Sequence, residues 1–339
     1  MTIYPTFAAM ATTVLVTGGA GFIGAHVSNY LLAMGHTVVI LDDLSGGFRE
    51  NVPNQATFIE GSITNEILIK QLFEQYHFTY VYHLAAYAAE GLSPFIRKFN
   101  YENNLIGSIN LINAAVNYNV RCFVFTSSIA VYGSLPVPYS EQQHPLPEDP
   151  YGIAKLAVEQ DLKNAYEQFG LNYIIFRPHN VYGALQNIND PYRNVIGIFM
   201  NQILQDKPLT VFGDGTQQRA FTYIDDVAPY IAQSTAFAKA YNQTFNVGAD
   251  TTHTINELAQ HINTVMGSKT PIRYLEARLE VHHAQADHTQ FNTLFKPTPA
   301  IQLEEGLKRM ANWVKLQEIK KPKKFDNIEI LKNLPESWK

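Results

Sequence analysis

The chain has 339 residues, 46% of them apolar and 16% charged, with a formal net charge of −5. That length suits one large α/β domain with an elaborated second lobe, or two domains, and the mild acidity calls for neither nucleic acid nor an anionic membrane as partner. The single cysteine, Cys122, excludes an internal disulfide and fits a reducing cytoplasm, and no apolar run reaches the length of a membrane span.

Residues 1–10 carry no basic side chain and are too short for a signal peptide, so a disordered leader or a natural start at Met10 is expected. Thr13-Val-Leu-Val-Thr17 is a short apolar run ending in glycines, the pattern of a buried parallel strand. A helix is expected from Phe22 to about Met34, stopped by Gly35. Further strands follow at Thr37–Leu41, Ala56–Glu60, Tyr80–Leu84, Arg121–Phe125 and Tyr173–Arg177, with long helices over 94–117 and 151–169. Cys122 sits in one of these strands and reads as a buried, inert thiol. This alternation predicts a doubly wound parallel (Rossmann) sheet with right-handed crossovers. Beyond Pro178 the regularity breaks, and Phe245-Asn-Val-Gly248 reads as a late strand returning to the sheet. The expected division is a dinucleotide-binding domain over 11–178, with returning segments near 220–250, and a smaller interleaved substrate-binding part over 179–330. The lysine-rich run at 320–324 reads as a solvated tail.

Gly18-Gly-Ala-Gly21-Phe-Ile-Gly24 follows a strand and opens a helix, the context that separates a phosphate-binding turn from a chance match. Gly18 allows the tight turn, Gly21 the approach of a pyrophosphate, and Gly24 close helix–sheet packing. Asp42 closes the second strand 18 residues past Gly24, where a carboxylate accepts from ribose hydroxyls and repels a 2′-phosphate. NAD is favoured over NADP, although Arg49 is close in sequence.

Tyr151-Gly-Ile-Ala-Lys155 puts a phenol and an ammonium at i and i+4, on one helix face. Held there, the Lys155 charge favours ionisation of Tyr151. Ser128 ends the fifth strand 23 residues earlier and can donate to a substrate oxygen while Tyr151 takes its proton. The alternative gives Ser127 and Ser128 a capping role and puts Tyr151 in the core.

With these motifs in this order, the chain resembles the extended short-chain dehydrogenase/reductase family, and within it the UDP-glucose 4-epimerases and their relatives. The resemblance runs from about Thr13 to Trp313. It takes in His83-Leu-Ala-Ala86, Glu102-Asn103-Asn104, Ser128-Ile-Ala-Val-Tyr-Gly133, Arg177-Pro-His-Asn180, Phe212-Gly-Asp-Gly215, Arg219 to Asp226 and Phe245 to Gly248. It implies an NAD site that adds Phe22, Ile23, Leu44, Ser45, Ser62, Ile63, Leu84, Ala85, Ala86, Asn103 and His179 to the residues above. It also implies a UDP-sugar site in which Asn180, Arg219 and Arg278 hold the pyrophosphate and Phe212 packs near the uracil. Val195 and Thr210 would lie close by. Ser62 replaces an aspartate found in many relatives, Ala88 a lysine found in some 4-epimerases, and Ala220 the usual aspartate after the arginine.

By the same resemblance Tyr151, Ser128 and Lys155 would invert C4 of a UDP-hexose through a 4-keto sugar. Dehydrating and decarboxylating relatives carry acids after the serine or threonine, where this chain has Ile129-Ala130. Ala284, small at the position taken to gate bulk at C2, would leave room for an N-acetyl group. A uronic acid substrate, another reaction of the same family and a non-catalytic dinucleotide sensor stand as alternatives. His282, His283, Asp287 and His288 fit no standard zinc spacing and read as a solvated or substrate-adjacent loop. Apolar residues on more than one face of the helices over 94–117 (Ile106, Ile109, Leu111, Ile112) and 151–169 (Leu156, Val158, Leu162, Phe169) lead to the expectation of a homodimer.

Overall fold

The computed structural model describes residues 12–278, 280–318 and 325–338; the leader at 1–10 and the lysine-rich run at 320–324 lie outside the described residues. Seven strands form one parallel sheet: β1 (Thr13–Thr17), β2 (Thr37–Asp42), β3 (Thr57–Glu60), β4 (Tyr80–His83), β5 (Cys122–Thr126), β6 (Tyr173–Pro178) and β7 (Gln243–Val247). Their order is β7-β6-β5-β4-β1-β2-β3. The chain therefore winds outward from β1 to β3, then restarts at β4 on the other side of β1. That reversal opens a crevice at the carboxyl ends of β1 and β4, where doubly wound sheets bind ligands.

The apolar strand runs have a direct cause. Helices cover both faces, so successive residues enter opposite cores. Val14, Val16, Ile40, Val124 and Phe176 face one core, and Leu15, Val39, Leu41, Phe125 and Ile175 face the other. The late strand is also present: β7 pairs in parallel with β6, placing Phe245 opposite Phe176.

Five helices flank the first six strands: α1 (Phe22–Ala33), α2 (Glu66–Tyr76), α3 (Arg97–Tyr101), α4 (Gly107–Asn117) and α5 (Pro150–Phe169). The single helix expected over 94–117 is broken into pieces. Pro94 lies in a 3₁₀ turn, Glu90–Phe95, because a proline ring clashes inside a regular helix. Between α3 and α4 the chain makes a π-helical turn, Glu102–Ile106, a feature common at functional sites. Helix α5 has strong ends. The Asp149 carboxylate accepts from the Tyr151 and Gly152 N–H groups at 2.9 and 3.0 Å, Pro150 fills the first turn, and Gly170 closes the helix at φ 76°. Tyr151 and Lys155 are fixed in its first two turns.

After β6 the chain builds the second lobe. Leu209–Phe212 pairs with Ile272–Leu275, and Gln218–Ala220 lies between Thr252–Thr254 and His283–Ala284. No helix among the described residues is long and apolar enough to cross a membrane.

Candidate functional site

A cleft of about 890 Å³ lies over the carboxyl ends of the central strands and between the two lobes. Its floor is the glycine turn. Gly18 stands at φ 71°, and a Cβ there would fall 2.6 Å from the Ala85 backbone nitrogen. A Cβ on Gly24 would fall 2.1 Å from the Gly18 carbonyl oxygen, so only glycine lets α1 pack this tightly. The first turn of α1 receives no side-chain cap at Gly21 and carries no acidic residue, which leaves its dipole available to an anion.

Asp42 ties this turn to the end of β2. Its carboxylate accepts from the Ala20 N–H at 3.0 Å and the Leu44 N–H at 2.8 Å, while burial raises its pKa above the usual carboxylate range. The Arg49 guanidinium instead stacks 4.4 Å above the Phe58 ring and does not line the cleft. Phe22, Ile23, Ser45, Ile63, Leu84, Ala85 and Ala86 line the same cleft with the glycines, as do Asn103 from the π-helical turn and His179. Leu44 and Ser62 do not. Leu44, at φ 58°, packs against the core, and the Ser62 hydroxyl bonds that of Thr64 at 2.9 Å. The remaining fit to a dinucleotide is good: a bare helix N-terminus, a glycine cradle and a carboxylate at the ribose end.

Ser128, Tyr151 and Lys155 meet on the cleft wall. The Ser128 side chain opposes the rise in the Tyr151 pKa, and its hydroxyl accepts from the Ala130 N–H at 3.1 Å, so it caps the turn after β5 as well. Ser127 lines the cleft too, and its hydroxyl supports the wall from behind. It donates to Glu159 at 2.6 Å, and that buried carboxylate is paired with the Arg177 guanidinium, whose Nε lies 2.9 Å away. The expectation that Lys155 holds Tyr151 near ionisation is not met by the protein's own charges. The ammonium donates to the Thr126 carbonyl at 2.8 Å and lies 5.8 Å from the tyrosine ring centre. Desolvation dominates both groups, raising the Tyr151 pKa well above its ordinary value and lowering that of Lys155 to about 7.

At the far end, Asn180, Val195, Thr210, Phe212, Arg219 and Arg278 all line the cleft. Arg219 spends donors on the carbonyls of Gln218 and His282 at 2.8 and 3.1 Å, which anchors the loop after Arg278. Phe212 presents its face to Arg278, whose guanidinium carbon lies 4.5 Å from the ring centre. His288 is not in a solvated loop. It is buried, stacks on His179 with Nε2 atoms 3.0 Å apart, and bonds Asp250 at 2.6 Å. Among the described residues no three His, Cys, Asp or Glu side chains come together in a way that could hold a metal ion.

Sequence reasoning missed two parts of this wall. Glu90 opens onto the cleft, and the protein mass around it pushes its carboxyl up to about 7 despite the nearby Arg219 and Arg278 charges. A lone carboxylate following Ala88-Ala89 was the available signal. Arg193, held by Asp190 at 2.6 Å and stacked 4.8 Å above Tyr87, sits in a loop with no motif.

The family model described as the NAD dependent epimerase/dehydratase family matches residues 14–248. The chain is similar to the UDP-glucose 4-epimerase of Thermotoga maritima solved with UDP-glucose, at 34% identity and a TM-score of 0.85 over 89% of this chain and 98% of that one. It is equally 34% identical to the UDP-N-acetylglucosamine 4-epimerase of Methanobrevibacter ruminantium in complex with UDP-N-acetylmuramic acid, with a TM-score of 0.83 over 90% and 98% of the two chains. The UDP-glucuronic acid 4-epimerase of Bacillus cereus, in complex with UDP-glucuronic acid and NAD, is 29% identical, with a TM-score of 0.82 over 89% and 99%. A glycine cradle, a serine–tyrosine–lysine cluster and these matches along most of the chain agree: it belongs to the NAD dependent epimerase/dehydratase family.

Proposed function

We propose that this chain epimerises C4 of a UDP-hexose, glucose and galactose or their N-acetyl forms, through a transient 4-keto sugar. The observation that carries the reading is the convergence of Ser128, Tyr151 and Lys155 on one cleft wall beside the glycine cradle. Ser128 would donate to the sugar O4 while Tyr151 removes its proton and later returns it. Bound NAD supplies a hydride acceptor that is restored within each cycle. Lys155, anchored on Thr126, would keep positive charge beneath the phenol. Arg219 and Arg278 would hold the diphosphate while the keto sugar turns over, and Phe212 and Val195 would lie toward the uracil. Ile129 and Ala130 line the cleft with no proton to give or take, which disfavours loss of water or of carbon dioxide.

A uronate substrate has support in the Bacillus cereus relative, but Glu90 argues against it, since a second carboxylate in this cleft meets like charge. Ala284, 6% exposed, lines the cleft and would leave room at C2 for an N-acetyl group. Residues 11–178 with β7 would bind NAD, and the intervening and later segments the UDP-sugar. Ile106, Ile153 and Phe169 are exposed on the outer faces of the π-helical turn and α5, which fits a two-fold dimer through these helices, although Leu111, Ile112, Val158 and Leu162 are buried within the monomer. The test is Tyr151→Phe. An epimerase loses at least about a hundredfold in turnover while its NAD content stays unchanged, whereas a dinucleotide sensor keeps its ligand response.

A further inference from the structure

We propose that residues 325–338 form a strap that completes the nucleotide end of the cleft, with Trp338 positioning Arg278 for a diphosphate. The proposal rests on the UDP-sugar reading above. Three attachments hold the strap. The Phe325 ring lies 4.9 Å from Phe99 and 5.3 Å from Tyr87, and its N–H donates to the Tyr192 hydroxyl at 3.1 Å. The Glu329 carboxylate then accepts from the Lys98 and Phe99 N–H groups at 2.8 and 2.9 Å, capping the first turn of α3. In the same stretch the Glu329 and Ile330 N–H groups donate to the Phe95 carbonyl at 2.9 and 3.2 Å.

The strap ends by inserting Trp338, 6% exposed, among Tyr192, Phe95 and Phe212 at ring separations of 5.3, 6.2 and 6.2 Å. Arg278 is consequently flanked by two aromatic rings, with its guanidinium carbon 4.5 Å from the Phe212 centre and 5.9 Å from that of Trp338. Gly91 closes the third side. A Cβ there would come within 3.3 Å of an Arg278 nitrogen and 3.4 Å of the Trp338 ring. Glu280 pairs with the guanidinium at 3.3 Å, and Arg278 lines the cleft. A long, flexible cation so confined is already oriented, so binding an anion costs it little further freedom.

The test is calorimetric titration of the holoenzyme with UDP, joined to steady-state kinetics, for wild type, Trp338→Ala, Trp338→Phe and Glu329→Ala. Loss of the indole face is expected to weaken UDP about tenfold and raise KM for the UDP-sugar equally. The kcat should stay within about twofold and the NAD content unchanged, the pattern of lost uniform binding. Trp338→Phe should restore most of the affinity, and Glu329→Ala should fall between. Wild-type UDP affinity in Trp338→Ala overturns the strap proposal alone, as does an equal loss of kcat or NAD, which marks a folding role. Failure of the wild type to bind UDP overturns the UDP-sugar reading and the strap with it.

Discussion

The Lys155 ammonium reaches past Tyr151 to the Thr126 carbonyl, bonding it at 2.8 Å while lying 5.8 Å from the centre of the tyrosine ring. The ammonium is thus anchored at the end of β5, beside the tyrosine ring. Burial lowers the Lys155 pKa to about 7, against about 10.4 for an unperturbed lysine.

That depression sets a pH dependence of stability. Between about pH 7 and 10 the unfolded chain binds more protons at this position than the folded one, so stability from this group rises with pH across that window. Its cost is fully present below pH 7. Lys155→Met removes the buried charge, and its melting temperature at pH 6.5 should rise by about 2–4 °C while turnover falls at least about a hundredfold. Differential scanning calorimetry of both proteins at pH 6.5 and 9 checks this, with the gap narrowing at the higher pH.

Ser128→Ala should separate the two roles of its hydroxyl. Loss of the donor to the substrate oxygen should lower kcat by about 10²–10³-fold, whereas loss of the cap to Ala130 should cost only about 1 kcal/mol. Kinetics and urea denaturation of the same preparation give both numbers.

Glu159→Gln attacks the support beneath the site. The substitution leaves the Arg177 guanidinium buried without its carboxylate and removes the charged acceptor of Ser127. A loss of about 3–5 kcal/mol in unfolding free energy is expected, the range for breaking one partner of a buried pair. Denaturant titration reads it directly.

Glu90 should act on substrate choice. Its carboxyl titrates at about 7, so its repulsion of a second carboxylate is complete above that pH and fades below it. The ratio of kcat/KM for UDP-glucuronate to that for UDP-glucose should therefore rise as pH falls from 8 to 6. Glu90→Gln should raise that ratio about tenfold at pH 8 and flatten its pH dependence. An unchanged ratio removes Glu90 from specificity.

Much of this was legible in the residues. Strands buried on both faces cannot hide their apolar runs, and Gly18 and Gly24 mark contacts no side chain tolerates, so the sheet and the glycine cradle read directly. Tyr151 and Lys155 read from helical spacing. The break in the helix over 94–117 was signalled by Pro94, but the π-helical turn that carries Asn103 was not, because no residue type specifies it. That Leu44 packs on the core and Ser62 bonds Thr64 does not show in the motif, which gives position along the chain, whereas local turns decide which way a side chain faces. The low pKa of Lys155 depends on burial in three dimensions, and the contacts of Trp338 join residues more than a hundred positions apart in sequence. Neither leaves a local pattern.

The most direct measurement is product analysis of the purified protein incubated with UDP-glucose in deuterated water, without added NAD. The C4 epimer should form to equilibrium, carry no deuterium and leave no accumulating NADH. Absence of the epimer, deuterium at C6, or turnover that needs stoichiometric NAD would contradict a Tyr151-driven exchange at C4.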